Sequence, residues 1–363
     1  MKTTAAVLRS PTAPFTLEQV ELSGVGPNEL LVEVAGVGMC HTDLLAKVPE
    51  FGANLTPLIL GHEGSGVVLE VGASVTNVSV GDHVVLSFAS CGQCDQCVRG
   101  VPAYCRHFEV LNVTGRRADG SVDARSVEGD SIGNRWFGQS SFARHAIVAE
   151  RDVVVVDKSL PLELLAPLGC GLQTGAGVVL NVMRLSAGQS IAVFGAGAVG
   201  LAAVMAAKAA GASDIVAIDL HDSRLDLAKE LGATHTVRGD SPDLVELVRN
   251  GTSGVDFSCD TTGVANVVSA SVEVLDIPGT AVLVGAAQDD LRIAPAMLVG
   301  RTVTYAIEGA AVPRLFLPRL IDLWQRGLFP FDKLIRTYPL SDIALAESDS
   351  LSGATVKPVL LPR

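Results

Sequence analysis

The chain is poor in charge, in aromatic rings and in basic residues. Only 18% of its 363 residues are Asp, Glu, Lys or Arg, and only 4% are Phe, Trp or Tyr. With 48% apolar residues and a mean hydropathy of +0.40, it is too hydrophobic to stay disordered. Lys plus Arg number 27 against 39 Asp plus Glu, a net charge of −12. That balance excludes phosphate backbones and anionic lipid as main partners, so neither nucleic acid nor membrane is expected. No repeat with a period of about 20 to 50 residues is present, which sets solenoids aside. The start, MKTTAAVLRSPT, lacks the apolar run and cleavage site of a secretory signal, and the expected compartment is the cytoplasm.

Two uncharged windows, 164–183 and 185–207, reach the length of a membrane span. Pro167, Gln173, Thr174 and Asn181 interrupt the first. The second opens on Ser186, Gln189 and Ser190 and runs into a glycine-patterned turn, so neither is expected to lie in lipid.

The length suits two lobes, and the texture divides accordingly. Residues 3–157 carry short β-rich runs, LLVEVAGVG, GSGVVLEVG, DHVVLSF and RDVVVVD, separated by Gly, Pro, Asn and Asp. Residues 177–303 alternate buried-strand runs (SIAVFGA, DIVAIDL, VDFSCD, AVLVGAA) with helical stretches such as LAAVMAAKAA. That rhythm predicts an α/β class with a doubly wound parallel sheet beside a β-rich lobe. Past Ile307 a helix candidate, RLFLPRLIDLWQRG, precedes a tail ending VKPVLL that is free to return to the first lobe.

SIAVFGAGAVG is a strand running into G-x-G-x-x-G at Gly195, Gly197 and Gly200, with an Ala-rich helix behind it. The first glycine permits the tight turn, the second lets backbone amides approach a pyrophosphate, and the third lets helix pack on strand. Asp219 ends the next strand, 24 residues past Gly195, where an acid binds the adenosine ribose hydroxyls. Its charge would meet a 2′-phosphate, so NAD is expected rather than NADP. Arg224, five residues on, joins the candidate cofactor-binding set.

Cys91, Cys94, Cys97 and Cys105 form C-x2-C-x2-C-x7-C in a Gly- and Pro-containing stretch. Four thiolates suit tetrahedral zinc and leave no open position, so this ion is expected to be structural; an iron-sulfur cluster is the rival. Of the remaining cysteines, Cys259 ends a buried strand and reads as core. Cys40, in GMCHTD, and Cys170, in PLGCGLQTG, have polar neighbours, and His62 follows in LGHEGSGVV. Two thiolates, one imidazole and one open position make a catalytic zinc, although spacing alone does not bring Cys170 to the other two. His83, His107, His145, His221 and His235 read as satisfied or solvated.

Residues 61–75, GHEGSGVVLEVGASV, fit G-H-E-x2-G-x5-G-x2-V and resemble the zinc-containing medium-chain alcohol dehydrogenases. PLGCGLQTGAGV and FGQSSFARHAIV are similar to the aryl-alcohol (benzyl-alcohol) branch. The resemblance implies a GroES-like catalytic domain from both chain ends, 1–171 and 308–363, with a Rossmann domain, 172–307, inserted. It implies that Cys40, His62 and Cys170 hold a catalytic zinc, with Asp43 and Glu63 as the carboxylates that surround and orient the metal site. By the same resemblance Thr42 accepts the substrate proton, His41 and Lys357 face the pyrophosphate, and Thr174 packs near the nicotinamide. Two zinc ions per chain, NAD and a homo-oligomer, dimer or tetramer, complete the expectation.

Two positions depart from the family pattern. Leu45 stands where many members carry the histidine that ends the proton relay, leaving His41 or the ribose hydroxyls to pass the proton on. Ser87 stands where an aromatic often lines the pocket, leaving Phe88 or Trp136 to grip a ring. The implied chemistry is reversible oxidation of a primary aromatic or allylic alcohol to its aldehyde, with hydride passing to NAD. The competing readings are a polyol or other secondary-alcohol dehydrogenase and a non-catalytic NAD(H)-binding redox sensor; the open-site trio argues against the sensor. How 108–142 folds over the zinc is not readable from pattern.

Overall fold

The computed structural model describes residues 1–250, 253–286 and 290–362. They form two compact units. The first comprises Met1–Cys170, Val312–Pro318 and Asp332–Arg363, and the second Gly171–Ala311 and Arg319–Phe331. The tail is therefore shared: 308–311 and 319–331 group with the second unit, where the expectation gave all of 308–363 to the catalytic domain. Helix Pro313–Gln325 spans the change of unit, which falls at Pro318 inside it, a residue with no N–H to give to the preceding turn.

The first unit is β-rich. Its larger sheet runs in the order Val153–Val156, His83–Leu86, Glu63–Val71, Glu29–Gly38, Lys357–Leu361, Ile335–Pro339, and His145–Ala149 also pairs with Glu29–Gly38. The long strand Glu29–Gly38 is apolar along almost its whole length because it is covered on both faces. Two registers matter for the site. Gly38 lies opposite Glu63, and Val359 lies opposite Gly38, so the VKPVLL tail does return to the first lobe and brings Lys357 towards the start of Glu63–Val71. A smaller sheet orders Leu58–Ile59, Lys2–Leu8, Phe15–Leu22, Ala124–Ser126 and Ser131–Ile132.

The second unit holds a six-stranded parallel sheet. Across it lie His235–Arg238, Asp214–Asp219, Ser190–Phe194, Val255–Asp260, Leu275–Leu283 and Arg301–Tyr305. In sequence numbering that order is 3-2-1-4-5-6, the doubly wound arrangement with its switch point at Ser190–Phe194. Ile191, Ala192, Val193 and Phe194 are all buried, as a central parallel strand requires. Helix Ala198–Ala210 follows directly, sealed by buried Ala and Val side chains, and stops at Gly211 in a left-handed conformation. Gly200 has no room for a side chain, since a Cβ there would run into the Gly195 carbonyl oxygen.

No single helix among the described residues is long and apolar enough to cross a membrane. The window 164–183 is divided among four short helical pieces.

Candidate active site

Cys40 sits in extended conformation ahead of the short helix His41–Leu44, and Asp43 closes that turn by accepting the Cys40 N–H at 3.1 Å. Asp43 is fully buried and is shared by four donors. Besides Cys40 N–H on Oδ2, its Oδ1 accepts His62 Nδ1 at 2.7 Å, Gly61 N at 3.1 Å and Trp136 Nε1 at 3.1 Å. Because a carboxylate only accepts, Nδ1 of His62 carries the proton and Nε2 keeps its lone pair for a metal. That Nε2 lies 3.2 Å from Cys170 Sγ. Donor atoms of Cys40, His62, Glu63 and Cys170 all fall within 4.8 Å of one another, which supplies the pairing that sequence spacing left open.

The electrostatics of this cluster suit a cation. The Cys40 thiol is held well below its usual range by a hydrogen bond from Cys170, helped by the Lys357 and His62 charges against the cost of burial. Burial pushes the His62 imidazolium down, but the Asp43 carboxylate outweighs it and holds the group well above its usual value. Burial raises Glu63, and Lys357 partly offsets this. A metal bound here displaces protons, so occupancy falls in acid. Two thiolates and an imidazole of this spacing fit zinc.

The four cysteines of the second cluster also lie within 4.8 Å of one another. Cys91 Sγ is 4.0 Å from Cys97 Sγ, and Cys94 Sγ is 3.9 Å from Cys105 Sγ. Four sulfurs about 2.3 Å from one tetrahedral ion stand about 3.8 Å apart, which fits zinc; an iron-sulfur cube would spread its thiolates further. Backbone N–H groups of Cys91, Cys94, Arg106 and His107 point at the sulfurs. Those of Arg106 and Cys97 hold Cys94 down to about 6, while burial pushes Cys97 up to about 12.

Other expected residues are distributed as follows. Thr42 Oγ1 lies 3.7 Å from Cys40 Sγ. His41 is exposed and Leu45 is half-buried at the end of the same helix. Lys357, expected to face the pyrophosphate, is held beside the metal cluster. It is only 2% exposed, and its ammonium donates to Glu63 at 2.9 and 3.0 Å and to the Met39 carbonyl at 3.2 Å. The pull of Glu63 raises its pKa despite burial. Of the two ring-gripping candidates, Trp136 is fully buried and gives its indole N–H to Asp43, and Phe88 packs in the core against Phe108. Ser87 is buried and donates to the Gly169 carbonyl at 2.7 Å.

In the second unit, Gly195 takes φ +91° and Gly197 precedes helix Ala198–Ala210 with open space where a side chain would stand. Asp219 faces the same turn: its carboxylate accepts Ala196 N–H at 2.7 Å and His221 N–H at 2.9 Å. Arg224 is buried, and that burial lowers its pKa while the Asp219 charge opposes the shift. Thr174 is half-buried in helix Gly171–Gly177.

Two residues at the site had escaped sequence reasoning. Phe137 stacks on the His62 ring with centroids 4.4 Å apart, and Gln139 hydrogen-bonds on both sides of Glu63, to His62 O and Gly64 N. The only signal in the sequence was the glycine of FGQSS, Gly138, which marks a turn.

Comparison with known proteins agrees with this geometry. Residues 26–158 match the alcohol dehydrogenase GroES-like domain, and residues 198–323 match the zinc-binding dehydrogenase family. Geraniol dehydrogenase of Castellaniella defragrans is 42% identical over 364 residues, covering 98% of this chain and 97% of that protein. The crystal structure of benzyl alcohol dehydrogenase from Acinetobacter calcoaceticus superposes with a TM-score of 0.96 at 40% identity, with both chains fully covered. An alcohol dehydrogenase zinc-binding domain protein from Burkholderia ambifaria gives 0.97 at 44%, again over both whole chains. With its GroES-like and Rossmann folds, its dithiolate–imidazole cluster and its four-cysteine cluster, the chain belongs to the zinc-binding medium-chain alcohol dehydrogenases.

Proposed function

We propose that the protein oxidises primary aromatic or allylic alcohols to aldehydes, reversibly, with NAD as hydride acceptor. The observation that carries this is the set of half-buried Cys40 with buried His62 and Cys170, converging within 4.8 Å with the Thr42 hydroxyl beside it. The names of the geraniol and benzyl alcohol dehydrogenases to which the chain is similar favour allylic and aromatic substrates over polyols.

Cys40, His62 and Cys170 hold the ion, and Asp43 fixes the imidazole that faces it. A bound zinc supplies Lewis acidity that makes an alcohol hydroxyl a better proton donor. Thr42 takes that proton. Leu45 cannot pass it on, which leaves exposed His41 or the ribose hydroxyls of the cofactor to do so. Gly195, Gly197, Gly200 and Asp219 hold the dinucleotide, which supplies the hydride acceptor; the Asp219 charge selects the form without a 2′-phosphate. The Cys91, Cys94, Cys97 and Cys105 ion is structural, having no free position.

The edge strand Arg301–Tyr305 leaves Tyr305 47% exposed, with Val299 at 64% and Ile277 at 58% nearby in the chain and sheet. An unpaired sheet edge flanked by these exposed apolar side chains supports a homo-oligomer, with dimer and tetramer distinguishable by light scattering. The thiolate sites need reducing conditions, in keeping with the cytoplasm.

The test is metal analysis joined to NAD reduction with benzyl alcohol, geraniol, ethanol and sorbitol. Two zinc ions per chain, NADH absorbance with the first two alcohols, and loss of one zinc with loss of turnover in Cys40→Ser support the reading. Sorbitol as the best substrate moves it to polyols. Retained zinc and turnover in Cys40→Ser end it.

A further inference from the structure

Three side chains from a single turn converge on the metal-facing histidine and its carboxylate, and none of them is a metal donor. Residues Trp136, Phe137 and Gln139 follow Arg135, which is itself tied down inside the unit. Its guanidinium pairs with Asp123 and with Glu29 at 3.0 Å and donates to the Ile147 carbonyl at 2.9 Å. From that anchor the chain turns through left-handed backbone at Phe137 (φ 50°, ψ 37°), Gly138 (φ 70°) and Ser140 (φ 51°). Two of these three are not glycine, so the conformation is held against its local preference by what the turn contacts.

The contacts are specific. Trp136, fully buried, donates its indole N–H to Asp43 Oδ1 at 3.1 Å, the same oxygen that accepts His62 Nδ1. Phe137 stacks on the imidazole at an interplanar angle of 30°. Gln139, 1% exposed, donates Nε2–H to His62 O at 2.9 Å and to Ser87 O at 3.3 Å, and its Oε1 accepts Gly64 N at 3.0 Å and Ser141 Oγ at 2.7 Å. Every polar atom of that amide is used, and His62 is gripped from side chain, ring face and main chain together.

We propose that this turn is a positioning clamp for the catalytic metal. Trp136 holds the carboxylate that sets the His62 tautomer, and Gln139 fixes the peptides flanking Glu63, so that both residues set metal affinity without touching the ion. Groups that orient a metal-bound histidine change metal affinity by roughly tenfold to a hundredfold when removed. The inference rests on Cys40, His62 and Cys170 being a zinc site.

Trp136→Phe keeps a buried aromatic ring and removes the N–H together with part of the indole's bulk; Gln139→Leu keeps bulk and removes four hydrogen bonds. The zinc-loaded full-length proteins are mixed with a chromogenic chelator, and release is followed at neutral pH. The zinc of the four-cysteine cluster in the same chain serves as internal reference. The expected result is roughly tenfold faster loss of one zinc of the two in Trp136→Phe, with unchanged release of the other, which separates a local effect at the His62 site from a general loss of stability. In cobalt-substituted protein, the thiolate-to-metal absorption band of the catalytic site shifts in the same variant. Gln139→Leu is expected to act in the same direction and more strongly; if it fails to fold, Trp136→Phe decides alone. Wild-type release and an unshifted cobalt band in Trp136→Phe overturn the clamp. A wild-type chain that holds only one zinc overturns instead the site reading beneath it.

Discussion

Lys357 Nζ lies 2.9 Å from Glu63 Oε2, with the two side chains 3% and 0% exposed. Two charges so far from water are tolerable only together. Removing one partner of such a pair costs about 3–5 kcal/mol, whereas replacing both can be close to neutral. Lys357→Met is therefore expected to lower the unfolding free energy by about that amount, and the double variant Lys357→Met/Glu63→Gln to recover most of it. Denaturant titration of the two single variants and the double variant checks this.

Asp152 is buried beneath the loop that carries Ser90, whose N–H it accepts at 3.3 Å, and burial pushes its carboxyl up to about 7. The folded state thus holds a proton that the unfolded chain, titrating near 3.8, has already lost. Stability contributed by this group is full below about 4 and is lost as pH rises through 7. Asp152→Asn keeps an acceptor for Ser90 and removes the titration. Melting temperatures at pH 5 and pH 8 should fall further apart in the wild type than in the variant, by a few degrees.

Asp219 faces the Gly195 turn with its carboxylate on Ala196 N–H. Asp219→Ala removes the charge that repels a 2′-phosphate. Its kcat/KM ratio for NADP over NAD is expected to rise roughly tenfold to a hundredfold, corresponding to about 1–3 kcal/mol. Steady-state assays with both cofactors measure it, and an unchanged ratio shows that selectivity lies elsewhere.

The four-cysteine cluster is the other metal site and should fail separately. Cys97→Ser leaves three sulfurs in place of four. One zinc is lost and thermal stability falls, while the cobalt spectrum of the Cys40 site stays as in the wild type. Loss of both metals in this variant would mean the two sites are not independent.

How much of this was legible beforehand depended on whether the chemistry was local in the chain. The Gly195, Gly197, Gly200 turn and the Cys91 to Cys105 spacing are local, and each makes sense within a single stretch of backbone. Cys170 is not: 108 residues separate it from His62, and only the fold, or resemblance to a family, brings them together. The clamp was hidden for a different reason. Its turn uses left-handed backbone at Phe137 and Ser140, where residue type predicts the opposite, and its key hydrogen bond joins Trp136 to Asp43 across 93 positions. Trp136 was, with Phe88, one of two candidates to grip a substrate ring, and nothing in the chain marked its N–H as a partner of Asp43. Lys357 was placed at the cofactor by family resemblance alone; that the register of strand Lys357–Leu361 also delivers it to a buried acid could not be read from the chain.

That last pairing has a consequence for how the enzyme is born. Glu63 and its counter-charge are 294 positions apart, so the whole nucleotide-binding unit is synthesised between them. Throughout that interval the nascent β-lobe carries an acid destined for a dry interior without the cation that makes burial tolerable. The catalytic half of the molecule begins to be translated first and is the last to be able to close.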